Sequence, residues 1–528
     1  MTLISRVLGL VRDVVIANVM GSGVMADVFL FANKIPNFFR RLFAEGAFAQ
    51  AFVPVLSEYH TKDEAKAKIK SQVGDDVSSD IAIDETRRLI SQVSGTLGVI
   101  ITLVTLFGML ASPLFVVLFG GGWFVDWFSN GPESVGGEKF ELASSLLKIT
   151  FPYLWFISFT ALAGAVLNTM GRFAVAAFTP VLLNIAIILM AIYGAEYTQS
   201  PAYALAWGVF AGGLVQFLFQ IPFMYKAGVL VKPCWSWHSN GVTKIRKLII
   251  PALFGVSVTQ INLLLDTLIA SFLVTGSISW LYYADRLLEF PLGLFGIGIA
   301  TVILPSLSKL HSKNSAGEFT ATLDWGIKVI SLFGWPALAG LMVLAQPIIM
   351  VLFMRGEFSQ NDVLQVSMAL FAYLSGLLSF MFIKVLAPGY YARQDTKTPV
   401  KIGIIAMVAN MGFNLMLAPF FGYVGLAIAT TMSATLNAWL LYRGLKQAGV
   451  YSLSKETKFF IGKLMLSAAV MAMAVYQLSN DFDVWLTMAF TEQILQLILC
   501  IGGGCISYFF TIALLGVRLN DFKVKNNS

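Results

Sequence analysis

Apolar segments of about 20 residues recur from one end of this 528-residue chain to the other. Each is long enough to cross a ~30 Å hydrocarbon core as a helix, and in lipid only helices and closed barrels satisfy every backbone N–H and C=O internally. The pattern places fourteen spans, near 5–20, 25–57, 89–118, 142–167, 174–195, 202–225, 248–273, 278–307, 327–352, 364–387, 399–418, 423–442, 459–478 and 488–516. The second is bent or broken around Pro36. Only 12% of residues are charged, against about 25% in soluble domains. The fold class is therefore an all-α polytopic membrane protein.

The basic residues fix an orientation. Every second connection, with the C-terminal tail, carries 25 lysines and arginines, whereas the intervening connections carry only Lys139 and Arg355. By the positive-inside rule both termini are cytoplasmic and the helix count is even. This asymmetry accounts for the net charge of +7 without any nucleic-acid partner. Arg6 and Arg12 interrupt the first apolar run where a cleavable signal would be uninterrupted. Cys234, Cys500 and Cys505 have no disulfide or metal-ligand spacing.

Nine of the 36 basic residues lie within or at the ends of the spans: Arg6, Arg12, Lys34, Arg40, Arg41, Lys148, Arg286, Lys384 and Lys463. Lys148 and Lys463 are close enough to helix ends to snorkel. Five of the other seven fall in one stretch, Ser5 to Glu58, which also holds Asp13, Asp27 and Glu45. Each such charge at the centre of a lipid-facing helix costs roughly 2.5–3.5 kcal/mol, so these must face water, each other or a substrate.

Three anchor pairs suggest that the first six spans recur as the next six. Residues around Pro54 resemble those around Pro305; FPYLWF with Thr179-Pro180 resembles FAYLSG with Thr398-Pro399; Ala227-Gly228-Val229 resembles Ala448-Gly449-Val450. The polar insertion at 58–88 accounts for the change in offset. Six spans return the chain to its starting side, so two such lobes are related by a pseudo-two-fold along the membrane normal, with a cavity between them. The expected divisions are 1–226, 227–447, and a C-terminal helix pair with its tail at 448–528.

The charges suggest both pairing and grip. Arg6 and Asp13 share a face of the first helix, Arg41 and Glu45 are i,i+4 partners, and Arg286 has Glu289 at i+3 beside Asp285. Local ion pairing is the competing reading for these. Arg12, Lys34 and Arg40 have no obvious local partner, and Asp27 and Asp285 are candidate answers from neighbouring helices. The cationic excess suits an anionic, phosphate-bearing headgroup, because a guanidinium binds phosphate oxygens in a bidentate manner. A second constellation, Asp266, Asn410, Asn414 and Thr430, offers hard oxygen ligands for a monovalent cation such as Na⁺; interhelical hydrogen bonding is its competing reading. Trp123, Phe124, Trp127 and Phe128 on one side, and Trp235 and Trp237 on the other, read as interfacial anchors. The chain carries no Walker loop, zinc motif or dinucleotide fingerprint, so no enzyme and no organic cofactor is expected.

At SRVLGLVRD, ADVFLFANKIPNFFRRLFAEGAFAQAFVPVL, LLKITFPY, YYADRLLEFP and KVLAPGYYARQDTKTPVKI the sequence resembles the MurJ (MviN) family of bacterial lipid II flippases, in the multidrug/oligosaccharidyl-lipid/polysaccharide (MOP) superfamily. The resemblance covers essentially the full length. It implies fourteen helices as two six-helix lobes plus a final pair bordering a groove for a polyprenyl tail. It implies roles in function for Arg6, Arg12, Asp27, Arg40 and Arg286, with Lys34, Glu45, Asp285 and Glu289 in the same cavity; Arg41, beside Arg40, is a further candidate substrate-binding residue. It implies coupling to membrane potential or an ion gradient, with Asp266, Asn410, Asn414 and Thr430 resembling a sodium site. The expected activity is transfer of lipid II across the inner membrane for peptidoglycan synthesis, with the bilayer and cell-wall synthesis proteins as partners. A related exporter of another lipid-linked oligosaccharide or of a drug, and a non-transporting scaffold, are the rival functions.

Overall fold

The computed structural model describes residues 2–42, 47–72 and 84–518, and these are all-helical, with no strand among them. In chain order the helices are α1 (Thr2–Met20), α2 (Val24–Arg40), α3 (Ala47–Gln72), α4 (Asp84–Leu110), α5 (Ser112–Phe119), α6 (Gly121–Asn130), α7 (Val135–Thr150), α8 (Pro152–Thr169), α9 (Phe173–Leu189), α10 (Pro201–Lys226), α11 (Asn240–Ala270), α12 (Ser277–Pro291), α13 (Ile297–Ser312), α14 (Ala316–Phe353), α15 (Gln360–Leu374), α16 (Leu377–Tyr391), α17 (Lys397–Gln447), α18 (Lys455–Leu478), α19 (Phe482–Thr487) and α20 (Phe490–Leu514).

Among the described residues, nine helices or continuous helix pairs are long and apolar enough to cross a membrane, and up to eleven if two bent pairs each count as one span. The pair α15 and α16, bent by 41°, matches the expected span 364–387. The expected spans outside this set are α1, the α2–α3 pair and α11. The first two carry the charges singled out above, and only Gln260–Ala270 of α11 counts as a shorter apolar helix. The 51 residues of α17 hold two expected spans, and Gly422 separates them with φ +56° and ψ −136°. Only glycine adopts such a backbone cheaply. The pair α5 and α6 turns by 102° at Gly120, whereas α4 alone, Asp84–Leu110, is long and apolar enough to cross.

Proline lies inside many of these helices, where it removes an i→i−4 hydrogen bond. Neighbouring hydroxyls supply the missing donor. Thr179 Oγ1 donates to Ala176 O at 2.9 Å, the carbonyl that Pro180 leaves open. Tyr508 OH on α20 donates at 2.7 Å to Leu332 O, which Pro336 leaves open in α14. Thr150 Oγ1 lies 3.5 Å from Ala32 O, opposite Pro36 in α2.

The chain divides into two compact units, 1–278 and 279–528. In the first, α11 packs on α3 and also meets α2, α4, α5 and α6. The repeat pattern would instead group α11 with the helices that follow it. At the polar end of α3, Glu58 accepts from Lys62 at 2.8 Å and from Lys244 at the start of α11. The Lys244 and Lys62 ammonium groups hold the Glu58 carboxyl down to about 2, so this clasp stays ionised at any physiological pH. The segment joining α10 to α11 lies along α4: Cys234 N donates to Ser91 O at 2.9 Å and Ser91 Oγ to Lys232 O at 2.6 Å.

In the second unit, α18 and α20 pack on each other and on α14. Besides Tyr508, the Arg355 guanidinium stacks 3.5 Å from the Phe490 ring centroid, and Lys463 Nζ donates to Leu515 O at 2.7 Å at the end of α20. Lys463 thus meets a helix C-terminus, where a cation is favoured.

Candidate functional site

The cations of the opening stretch sit on α1 and α2, and several meet neutral oxygens. Arg12 Nη1 donates to Asn184 Oδ1 on α9 at 3.1 Å, while its Nε and Nη2 donate to Asp13 Oδ1 at 3.0 and 2.7 Å. Arg40 Nε donates to Asn37 Oδ1 at 3.0 Å, and Asn37 Nδ2 is tied in turn to Asn33 O at 2.8 Å. Lys34 Nζ donates to Thr267 Oγ1 on α11 at 3.1 Å, and Arg41 Nη1 lies 3.5 Å from Gln260 Oε1 on the same helix. A neutral acceptor orients a cationic head without cancelling its charge, whereas a carboxylate does both.

One expectation needs correcting. Asp13 takes the adjacent Arg12, although helical spacing points to Arg6. Arg6 is exposed. Glu45, the expected partner of Arg41, lies outside the described residues.

Asp27 occupies the first turn of α2 and is 1% exposed. Its Oδ2 accepts from Gly276 N at 2.7 Å and faces Lys139 Nζ at 3.4 Å. Lys139, on α7, is 3% exposed; its Nζ also donates to Thr275 Oγ1 at 3.0 Å and lies 5.5 Å from the Trp123 ring centroid. This clasp joins α2, α7 and the turn between α11 and α12. It corrects two readings at once. Lys139 is a buried ion-pair partner, not a loop charge, because α7 begins four residues before it and turns it inward. Trp123 is buried beneath it, its ring tilted against Phe31 at 4.8 Å between centroids, so it is no surface anchor, whereas Phe128 is 78% exposed.

In the second unit the Arg286–Glu289 pair forms as the spacing predicts, Nη1 to Oε2 at 2.7 Å, with Arg286 also 4.7 Å from the Tyr282 ring centroid. Asp285 is half-buried beside them. Asn410 and Asn414 share a face of α17, both 1% exposed, with Asn414 Nδ2 donating to Asn410 Oδ1 at 3.0 Å. Thr430 Oγ1 donates to Leu426 O at 2.9 Å. Asp266, in the first unit, lies half-buried on α11 with Asn262 Nδ2 at 3.5 Å.

Asn184, Lys139, Thr267 and Gln260 escaped the sequence reading. Asn184 had a visible signal, a lone amide in the run FAVAAFTPVLLNIAIIL, where a polar side chain needs a partner. Lys139 had one too, as one of two basic residues on the side that the charge rule depletes.

A multi-pass helical bundle with half-buried cations that meet neutral oxygens is the architecture of a membrane transporter. The family described as "Lipid II flippase MurJ" matches residues 16–496. A Vibrio cholerae protein named "Probable lipid II flippase MurJ" is 60% identical over 523 residues, 99% of this chain and 96% of that protein. A Haemophilus influenzae protein of the same name is 59% identical over 532 residues, covering all of both chains. The solved structure "Lipid II flippase MurJ, inward closed conformation" superposes with a TM-score of 0.77 at 27% identity over 97% of each chain. An inward-facing multidrug resistance MATE family transporter of the MOP superfamily shares the fold, with a TM-score of 0.65 at 15% identity over 85% of this chain and 95% of its own. The chain belongs to the MurJ lipid II flippase family.

Proposed function

We propose that this protein moves lipid II, the undecaprenyl-diphosphate-linked peptidoglycan precursor, from the cytoplasmic to the outer leaflet of the inner membrane, with both termini cytoplasmic. The observation that carries the reading from family to site is the set of α1 and α2 cations oriented by Asn184, Asn37 and Thr267. Arg12, Arg40 and Lys34 are the groups this reading assigns to the diphosphate, with Asp13 also bound to Arg12. Arg6 and Arg41 are further candidate cations of the first unit, and Arg286, with Asp285 and Glu289 beside it, is the candidate cation of the second. Alternating access then carries the headgroup through a wet cavity while the polyprenyl tail stays in lipid.

Losing one charge-assisted bond to phosphate is worth about 1.5–3 kcal/mol, or roughly tenfold to a hundredfold in transport efficiency. Arg12→Ala and Arg40→Ala proteins, inserted at normal levels, should therefore flip lipid II that much more slowly in proteoliposomes and fail to sustain growth after depletion of the native copy. Unimpaired flipping by both would sink the reading.

The buried Asn410–Asn414 pair favours a coupling role for the second constellation. In this reading Asp266, Asn410, Asn414 and Thr430 contribute oxygens to Na⁺, and the ion gradient or the membrane potential drives the cycle. A sodium titration of flipping should flatten in the Asp266→Ala protein; an unchanged sodium response would remove sodium from the mechanism.

A further inference from the structure

Asn184 touches the polar machinery from a helix to which no role has been attached. It is 6% exposed in the middle of α9, and both ends of its amide are used on α1. Its Oδ1 accepts from Arg12 Nη1 at 3.1 Å and its Nδ2 donates to Ser5 O at 3.3 Å. The second bond fixes which way the amide faces, because Nδ2 can only donate and Oδ1 only accept. Asn184 therefore presents an oxygen, not a nitrogen, to the guanidinium. Asp13 holds the Nε and Nη2 edge of the same group, and Asn184, on Nη1, adds a second point that orients the plane of the fork. A guanidinium that meets phosphate in a bidentate manner depends on that plane.

We infer that Asn184 is a positioning residue for lipid II transfer, aiming the Arg12 guanidinium without setting a second carboxylate beside Asp13 against it. The inference rests on the assignment of Arg12 to substrate grip. It explains why an amide stands where a carboxylate would bind Arg12 more tightly: an Asp here would be a second anion against the guanidinium that the substrate has to reach.

The test measures proteoliposome flipping of lipid II as a function of its surface density, with thermal melting of each purified variant alongside. Asn184→Leu removes both bonds at similar volume and is expected to raise the half-saturating density about tenfold. Asn184→Asp keeps an acceptor for Arg12 but loses the donor to Ser5 O, so its density is compared at temperatures below its own melting; that density is also expected to rise, because the added carboxylate competes with the diphosphate. In the Arg12→Ala background Asn184→Leu should cost almost nothing more, since the group it aims is gone. Fully additive losses, or an Asn184→Asp protein with parental half-saturation, would make Asn184 a helix-packing residue only and overturn the inference. If Arg12→Ala itself leaves flipping intact, the assignment of Arg12 fails first, and the inference falls with it.

Discussion

Lys139→Met is expected to destabilise the first unit by about 3–5 kcal/mol, the cost typical of removing one member of a buried ion pair. The Asp27 and Lys139 side chains are 2% and 4% exposed, so water cannot easily replace the ammonium 3.4 Å from the carboxylate. Methionine keeps the length and the contact with Trp123 while deleting the charge, which separates electrostatics from packing. The double variant Asp27→Asn, Lys139→Met should recover a large part of the loss, because an amide can still accept from Gly276 N without bringing a charge into the interior. Thermal melting in detergent micelles, followed by tryptophan fluorescence, reads both effects, with Trp123 beneath Lys139 as the local reporter. A single variant that melts with the parent, or a double variant worse than either single, would show that the clasp is not held by charge. Since the clasp joins α2 to the turn that follows α11, its loss should also change the rate of any motion that separates those segments.

The sequence made the spans legible because lipid leaves the backbone only one economical answer in a chain of this pattern: helices about 20 residues long. The break at Gly422 was legible for the same reason, since 399–442 is too long to be one span. Local pairs at i,i+3 and i,i+4 could also be read directly, and Arg286–Glu289 and Asn410–Asn414 form as their spacing requires. Partners from distant helices were not legible. Asn184 lies 172 residues from Arg12, and Lys139 lies 112 from Asp27. Helical periodicity says which face a residue occupies but not which helix packs against that face. Lys139 also looked like a loop residue, because GGEKFELASS is polar around it and the start of α7 is set by the Ser134 cap, whose Oγ accepts from Gly137 N at 3.0 Å. The neutral acceptors lack the charge that marks a residue out in an apolar span. In a membrane interior a lone amide carries nearly as much information, since it too must find a partner.

Gly95→Val should cost about 3 kcal/mol or more, through steric exclusion with no change of charge. A Cβ on Gly95 would lie 2.3 Å from the carbonyl carbon and oxygen of Cys234 and 2.5 Å from its nitrogen. These are backbone atoms, so no rotamer change relieves the overlap, and the segment joining α10 to α11 must lift from α4. Lifting it breaks the bonds that hold it there: Cys234 N to Ser91 O, Ser91 Oγ to Lys232 O, and Ser236 N to Thr96 Oγ1 at 3.3 Å. Each is worth about 0.5–1.5 kcal/mol net, on top of about 1–3 for overpacking. The loss should appear as a lower melting temperature together with faster chymotryptic cleavage at Trp235 and Trp237, whose bonds become accessible once the segment detaches. Gly98→Val, one turn further along α4, is the matched control: a Cβ there would meet only the far end of the Phe159 ring at 3.1 Å, a side chain that can move. The contrast between the two positions tests the claim that α4 serves as a backbone-to-backbone seat for the crossover. Equal losses at Gly95 and Gly98 would reduce the effect to β-branching in a helix, whereas a loss confined to Gly95 fixes the crossover on α4 and, through it, the start of α11 against α3.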